Sequence, residues 1–147
     1  MRDTCNPYAD DIREWAYDPK AMEPEQDWDL IISHLPYDEL FVELAADNDC
    51  PKWDYFMSLI YLIAGDAVRT NYVSESRDRV GRLISCTERI PRHRFHVFRS
   101  RYKDLCDAPE TFCYDDWCAG GWVAKDKKEA EQGASSDAIT SASQKPL

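Results

Sequence analysis

The sequence predicts an all-α fold, in which one domain of about six helices packs as antiparallel pairs, with a HEAT-like stack as one form this could take. Apolar residues recur at helical spacing in successive segments before residue 106. No Asn-Gly or Asp-Gly turn and no run of strict apolar–polar alternation occurs, so strand signals are missing. With 147 residues, 44% of them hydrophobic, the chain is long enough to bury one core.

The first three helices are predicted in the acidic first third of the chain. The segment 6–18 begins the first helix, with Asn6 as its N-cap and Pro7 in its first turn. Residues 25–35 and 36–47 carry the next two helices, and the later one restarts at a proline. Each segment places its large apolar residues on one face, so each should pack one side against a core.

The fourth helix is predicted to lie at the centre of the fold. Asn48 or Asp49 would cap it, and residues 53–64 are apolar on almost every side. A helix that is apolar all round belongs in the middle of a fold. Gly65 follows, where a neighbouring element can approach closely. Two arginine-rich helices complete the set before residue 106.

A short apolar segment, TFCYDDWCAGGW at residues 111–122, comes after the last helix. Its Phe112, Trp117 and Trp122 are too apolar to remain in water, so the segment is predicted to fold back as a cap over the helices. The helical domain is therefore predicted to span residues 1–122. Residues 123–147 are small and polar without an apolar stripe, which predicts a disordered tail.

The chain has a net charge of −10, and this charge is distributed unevenly along the sequence. Residues 1–66 hold 16 acids against 4 bases, whereas residues 67–105 hold 10 bases against 4 acids. The remainder, from residue 106, holds 8 acids against 4 bases. An acidic surface of this density disfavours nucleic acid and speeds encounter with basic partners.

No catalytic constellation can be recognised in the sequence. The nucleophile pattern Gly-x-Ser-x-Gly is absent, and with 5 glycines in all neither a Walker sequence nor a dinucleotide-binding Gly-x-Gly-x-x-Gly occurs. Acidic pairs are numerous, but a chain this acidic produces them by chance. The sequence therefore predicts a protein that is not an enzyme and needs no cofactor.

A metal site is the first alternative that the sequence leaves open. His93 and His96 lie three residues apart on a predicted helix, and Cys113 and Cys118 bracket four residues. Together they would make a Cys₂His₂ set of the kind that binds zinc. Surface histidines and packed thiols explain the same residues without a metal, and this is the interpretation that the spacing favours.

Nucleic-acid binding is the second alternative, through the arginine-rich helices of residues 77–103, because aromatic residues interleave with arginines in the second of these helices. Helical spacing assigns those aromatics to the core face, and the net charge opposes phosphate binding. The arginines are better explained as partners for the acidic first half of the chain. A regulatory or adaptor module that docks through these basic helices is a third possibility.

The expected location is the cytoplasm. The N-terminal stretch MRDTCNPYADD lacks the apolar core of a signal peptide, and no apolar run approaches the roughly 20 residues that span a bilayer. The 6 cysteines are widely and irregularly spaced, which is typical of reduced thiols rather than of a disulfide framework. No membrane association is expected.

The stretch from residue 27 to residue 121 resembles the immunity proteins of bacterial polymorphic or contact-delivered toxin systems. The likeness lies in the segment DWDLIISHLPYDELFVELAADNDCPKWDYFMSLIYLIAGDAVRTNY and in the closing YDDWCAGG. It is a likeness of small, acidic, helical character rather than of a diagnostic motif. The resemblance implies a stoichiometric inhibitor that binds one toxin domain and blocks its active site. Nuclease toxins are often basic, which fits the acidic charge of this chain, but charge alone does not fix the activity of the toxin.

The predicted contact set for such a partner lies mainly in the acidic helical hairpin before the central helix. A second group lies in the C-terminal cap, where acids beside an aromatic residue have the character of a binding hot spot. The predicted partner-binding residues are Asp27, Asp29, Asp38, Glu39, Glu43, Asp47, Asp49, Tyr114, Asp115 and Asp116.

Overall fold

A computed structural model describes residues 1–116 and builds them from six α-helices without a strand. The helices are α1 (Ala9–Tyr17), α2 (Trp28–Ile32), α3 (Asp38–Ala46), α4 (Trp53–Arg69), α5 (Arg77–Cys86) and α6 (Arg92–Asp107). Short 3₁₀ turns occupy Thr87–Arg89, Pro109–Thr111 and Tyr114–Asp116. The prediction of an all-α, single-domain fold is confirmed. The predicted boundary at residue 122 and the predicted tail lie outside the described residues.

Helix α4 lies at the centre of the fold, as its sequence predicts. All of its residues from Tyr55 to Gly65 are buried, and it packs against α3, α5 and α6. Helix α3 also contacts α5, so the second half of the chain stacks on the α3–α4 pair. Within residues 1–116, no helix combines the length and the apolar character needed to cross a membrane.

The aromatic residues of α1, α2 and α4 form one side of the core. Trp15 packs edge-on against Trp28 and Tyr55, with ring centroids 4.7 and 4.9 Å apart. Both indole N–H groups donate to backbone oxygens of loops, Trp15 to Met22 at 2.8 Å and Trp28 to Thr4 at 2.7 Å. The two tryptophans therefore anchor the N-terminal arm and the α1–α2 loop to the core.

The start of α1 differs from the prediction. The helix begins at Ala9 with Tyr8 as its N-cap, and the Asp11 carboxylate accepts the Tyr8 N–H at 2.9 Å. Asn6 instead donates its backbone N–H to Asp3. Tyr8 has the extended backbone of an N-cap residue, and the Asp11 carboxylate at the third helical position satisfies its N–H.

Two further helix boundaries move for local reasons. Helix α2, five residues long, starts only at Trp28 because Asp27, immediately before it, adopts a left-handed backbone with φ 54°. Helix α4 begins at Trp53, so neither Asn48 nor Asp49 caps it. Residues 47–52 form turns instead, in which the Asp47 backbone oxygen accepts the Cys50 N–H at 3.1 Å.

The predicted C-terminal cap is confirmed for its first aromatic residue. Phe112 stacks on Tyr61 of α4 with ring centroids 5.9 Å apart. It lies directly over Gly65, where an added Cβ would come within 2.5 Å of the Phe112 ring. Only a glycine allows this approach. Trp117 and Trp122, which were predicted to pack in the same cap, lie outside the described residues.

Candidate functional site

Asp29, a predicted contact residue, lies inside the protein rather than on its surface. Its exposed fraction is 5%, and the Tyr114 hydroxyl donates to both of its carboxylate oxygens at 2.9 and 2.8 Å. The Leu30 N–H also donates to it, at 2.9 Å. The helical spacing of α2 concealed this burial because the C-terminal segment, 85 residues later in the chain, covers the carboxylate. Asp29 and Tyr114 therefore tie the C-terminal cap to α2.

Asp38 is also occupied by a partner within the chain. Arg79 of α5 donates hydrogen bonds to its two carboxylate oxygens, from Nε at 3.1 Å and from Nη2 at 2.8 Å. The same guanidinium donates to Glu75 and to the Ser33 backbone oxygen. Burial alone would lower the pKa of Arg79, but its hydrogen bonds to Asp38 and Glu75 raise it above the usual value. The predicted pairing of basic-helix arginines with first-half acids is confirmed here.

The acids near the end of α3 take part in a different surface. Arg13 of α1 reaches Glu43 at 2.6 Å, and the Tyr17 hydroxyl donates to Asp47 at 2.5 Å. Successive turns of α1 bring further acids to the same side. We call this surface the acidic face, and its residues are Asp10, Arg13, Glu14, Tyr17, Glu43, Asp47 and Asp49.

The contacts of the acidic face shift the pKa values of its groups. The hydrogen bond to Asp47 raises the pKa of Tyr17 to about 12. The same bond, together with the Asp49 N–H, lowers the pKa of Asp47. The bond to Glu43 raises the pKa of Arg13. All three groups therefore keep their usual charge state near neutral pH, so the surface stays negative.

The remaining predicted residues are scattered. Asp27 is exposed at the start of α2, and Glu39 is exposed in a groove that it shares with Arg77 and Arg82 of α5. Asp115 is exposed next to the Tyr114–Asp29 contact. Asp116 is the last described residue, and its side chain lies outside the description. The ten predicted residues therefore do not form one patch.

A second acidic region, absent from the predicted set, lies where the α1–α2 loop meets the first turns of α4. This groove of about 680 Å³ holds two partly desolvated carboxylates and two aromatic rings. We call it the acidic groove, and its principal residues are Trp15, Met22, Glu23, Lys52, Asp54 and Tyr55. Desolvation raises the pKa of both Glu23 and Asp54 and lowers that of Lys52. Sequence spacing gave no sign of it because its parts come from separate segments.

A smaller cleft of about 230 Å³ lies between α2, α4 and the C-terminal cap. Its apolar wall includes Leu62 and Phe112. Arg69 at its rim pairs with Asp66 at 2.5 Å, and that ion pair is partly exposed to solvent. The neighbouring Arg79 is engaged with Asp38 and Glu75.

The described residues hold no arrangement suited to the metal alternative. No group of three or more His, Cys, Asp or Glu residues in the described part of the chain is placed to bind a metal ion. His93 and His96 are exposed on α6, where His96 Nε2 accepts a bond from Arg92 at 3.4 Å. Cys113 is an exposed free thiol, and Cys118 lies outside the described residues.

The aromatic residues among the arginines of α6 face the interior more than the solvent. Phe98 is fully buried and stacks on Tyr102 with ring centroids 6.1 Å apart, and Phe95 is half-buried. Arg94 is also buried and lies 3.8 Å over the Trp53 ring. The exposed stacking platform that single-stranded nucleic acid requires is therefore not formed by these residues.

Comparison with known proteins leaves the geometry as the only guide to function. The chain matches no protein-family model, no curated protein and no solved structure. The resemblance to immunity proteins therefore stays a prediction. The two regions that merit a functional argument are the acidic face and the acidic groove.

Proposed function

We propose that the protein acts by binding, as an immunity- or antitoxin-type inhibitor that docks its acidic face onto a basic protein, a toxin domain, and blocks that domain's active site. The observation that carries this proposal is the acidic face itself. Five carboxylates share that surface with a single arginine, Arg13. Such a surface repels nucleic acid and attracts a basic protein.

The acids of this face differ in how far the fold itself uses them. Asp47 holds Tyr17 and Glu43 holds Arg13, whereas Asp10, Glu14 and Asp49 form no salt bridge with a described residue. Carboxylates without an internal cation keep their full charge available to a partner. They would supply long-range attraction during encounter.

Tyr17 would supply the short-range part of the binding. It is 40% exposed, and its hydroxyl is fixed by Asp47. A tyrosine that is already held in one position loses little conformational entropy on binding, and tyrosines are enriched among interface hot spots. The face thus combines charge for fast association with a rigid aromatic anchor for slow release.

The test begins with capture of the tagged protein's partner from its own cells, with every retained protein identified by mass. We expect one basic protein, held at a one-to-one ratio, whose own activity falls when the complex forms. The double charge reversal E14K/D49K should slow its association about tenfold at low salt, and much less at high salt. Neither side chain bonds another described residue, so the fold should survive this change.

The matched control is D104K/E110K, which makes the same charge change at the exposed end of α6 and in the following turn. Association should be nearly unchanged in this variant. If both double variants slowed association equally, net charge alone would explain the effect and the acidic face would have no special role. Capture of nucleic acid without a basic protein would overturn the proposal.

A further inference from the structure

The acidic groove contains more carboxylates than cations among its lining residues in the described chain. Glu23, Glu25 and Asp54 line it, and Lys52 is the one cation among its lining residues in the described chain. Desolvation raises the pKa of Glu23, a contact with the Tyr55 hydroxyl lowers it in part, and the neighbouring Asp29 and Asp27 raise it further. Negative charge is therefore concentrated where water is partly excluded, which is costly without a positive partner.

Lys52 bonds the backbone at the end of α1 rather than these carboxylates. Its ammonium donates to the backbone oxygen of Trp15 at 3.0 Å and to that of Asp18, and it lies 4.6 Å from the Trp15 ring centroid. These are carbonyl groups at the C-terminal end of α1, which a cation stabilises. Lys52 thus closes α1 and forms no salt bridge with Glu23 or Asp54 in the described chain.

Tyr55 provides an independent sign of a missing ligand. Its exposed fraction is 7%, it lines the groove, and its hydroxyl forms no hydrogen bond of ordinary geometry with a described residue. Burial raises the pKa of Tyr55, and the charge of the nearby Glu23 carboxylate and its contact with the hydroxyl raise it further. A buried hydroxyl without a well-formed hydrogen bond costs free energy that a bound polar group would recover.

We propose that the acidic groove binds the guanidinium or ammonium group of an arginine or lysine side chain from the basic protein partner. Glu23 and Asp54 would pair with the cation, and the Tyr55 hydroxyl would complete its hydrogen bonding. The apolar stem of the side chain would lie along Trp15 and Met22, whose exposed fraction of 86% leaves it accessible. This inference rests on the proposed function and assigns the partner's anchoring residue.

The groove continues the acidic face, which favours a protein side chain as its occupant. Lys52 bonds the Asp18 backbone oxygen, one residue beyond Tyr17, and Pro51 lines the groove two residues after Asp49. A partner seated on the acidic face would therefore reach the groove without another contact surface. Basic side chains are what such a partner would offer there.

A small-molecule probe tests the groove without the partner. The probe is N-acetyl-arginine amide, and its uncharged analogue N-acetyl-citrulline amide is the comparison. Binding is followed by NMR at the indole N–H of Trp15, which donates to Met22 at the edge of the groove. We expect the arginine probe to shift this signal saturably, and the citrulline analogue to bind about tenfold more weakly or not at all.

Variants then assign the contacts. E23Q and D54N should each weaken probe binding about three- to tenfold, and Y55F by a smaller factor. E110Q, in the 3₁₀ turn after α6, removes the same charge outside both the groove and the acidic face and should leave probe binding unchanged. A thermal melt of each variant checks that the fold is retained. Equal affinity for arginine and citrulline, or equal loss in E110Q and E23Q, would overturn the inference.

The captured partner supplies the second arm. E23Q/D54N should raise its dissociation rate, whereas E14K/D49K should mainly slow its association. If E23Q/D54N leaves dissociation unchanged, the groove proposal fails and the proposed function stands. If the groove selects arginine but no basic protein is captured, the proposed function fails, and the groove keeps only its preference for cations.

Discussion

Two arginines from the basic half of the chain reach opposite ends of α3, and their hydrogen-bond partners differ in charge. Arg79 meets α3 at its first residue and bonds two carboxylates, those of Asp38 and Glu75. Arg94 meets the other end and bonds neutral groups, the Ala45 backbone oxygen at 3.0 Å and the Asn48 side chain at 2.9 Å. Burial lowers the pKa of Arg94, whereas the acids raise that of Arg79.

The comparison shows which carboxylates near α3 are paired with a cation inside the fold and which are not. At the Arg79 end, an ion-pair cluster neutralises the acids, so they contribute to the fold. At the Arg94 end, the guanidinium bonds a carbonyl and an amide oxygen and lies over the Trp53 ring, its Nε has no hydrogen-bond partner among the described residues, and the nearby acids stay on the acidic face. That end of α3, where Arg13 of α1 pairs with Glu43 but Asp47 and Asp49 form no salt bridge with a described residue, is therefore the end that we propose for partner binding.

Loss of Arg79 should produce the largest effect. R79M leaves Asp38 and Glu75 as partly buried carboxylates without a cation, at exposed side-chain fractions of 22% and 23%. We expect the free energy of unfolding to fall by about 3 kcal/mol, measured by urea denaturation. R82M removes an exposed arginine from the same helix and should change stability by less than about 0.5 kcal/mol. If R79M and R82M lowered the free energy of unfolding by similar amounts, the ion-pair cluster would not be what stabilises this end of α3.

Loss of Arg94 should cost less, because no carboxylate depends on it directly. R94M removes two hydrogen bonds and the contact with the Trp53 ring, while its apolar stem is replaced by one of similar length. The expected loss is about 1–2 kcal/mol, again by urea denaturation. R99M, on the exposed side of α6, is the control. If R94M proved as destabilising as R79M, the contrast between the two ends of α3 would be wrong.

The smallest effect concerns pH. Because the pKa of Tyr17 is raised to about 12, its bond stabilises the fold below the ordinary tyrosine value near ~10 and is lost as pH rises between the two values. The lowered pKa of Asp47 adds stability above its unfolded value, which is lost as pH falls through the folded value. The difference in melting temperature between wild type and Y17F should therefore shrink at both extremes. Y8F, at a tyrosine that is 71% exposed, should show no such pattern.

The sequence was a good guide to elements and a poor guide to the site. Helical periodicity predicted the all-α class and the central place of α4, because an all-apolar helix has only one stable location. Helix ends were harder to predict. Asn6 was predicted to be the cap, but the helix begins two residues later, with Tyr8 as its N-cap and the Asp11 carboxylate accepting the Tyr8 N–H.

The site depended on contacts that no local pattern records. Asp29 and Asp47 look alike in the sequence, yet one lies beneath Tyr114, 85 residues away, and the other fixes Tyr17 on the surface. Glu23 and Asp54 were absent from the predicted set because a groove made by a loop and a distant helix has no spacing signature. Lys52, the one cation that lines this groove in the described chain, bonds carbonyl groups at the end of α1 and forms no salt bridge with either residue.

The sequence by itself determined that this protein is helical, that α4 is its centre, and that its acids and bases lie in separate halves of the chain. These properties follow from composition and periodicity, which act locally. Tertiary structure decided which charges remain available, because pairing depends on what the fold brings within about 4 Å. It placed Arg79 on Asp38, covered Asp29 with the C-terminal cap, and left the acidic face and the acidic groove open to solvent.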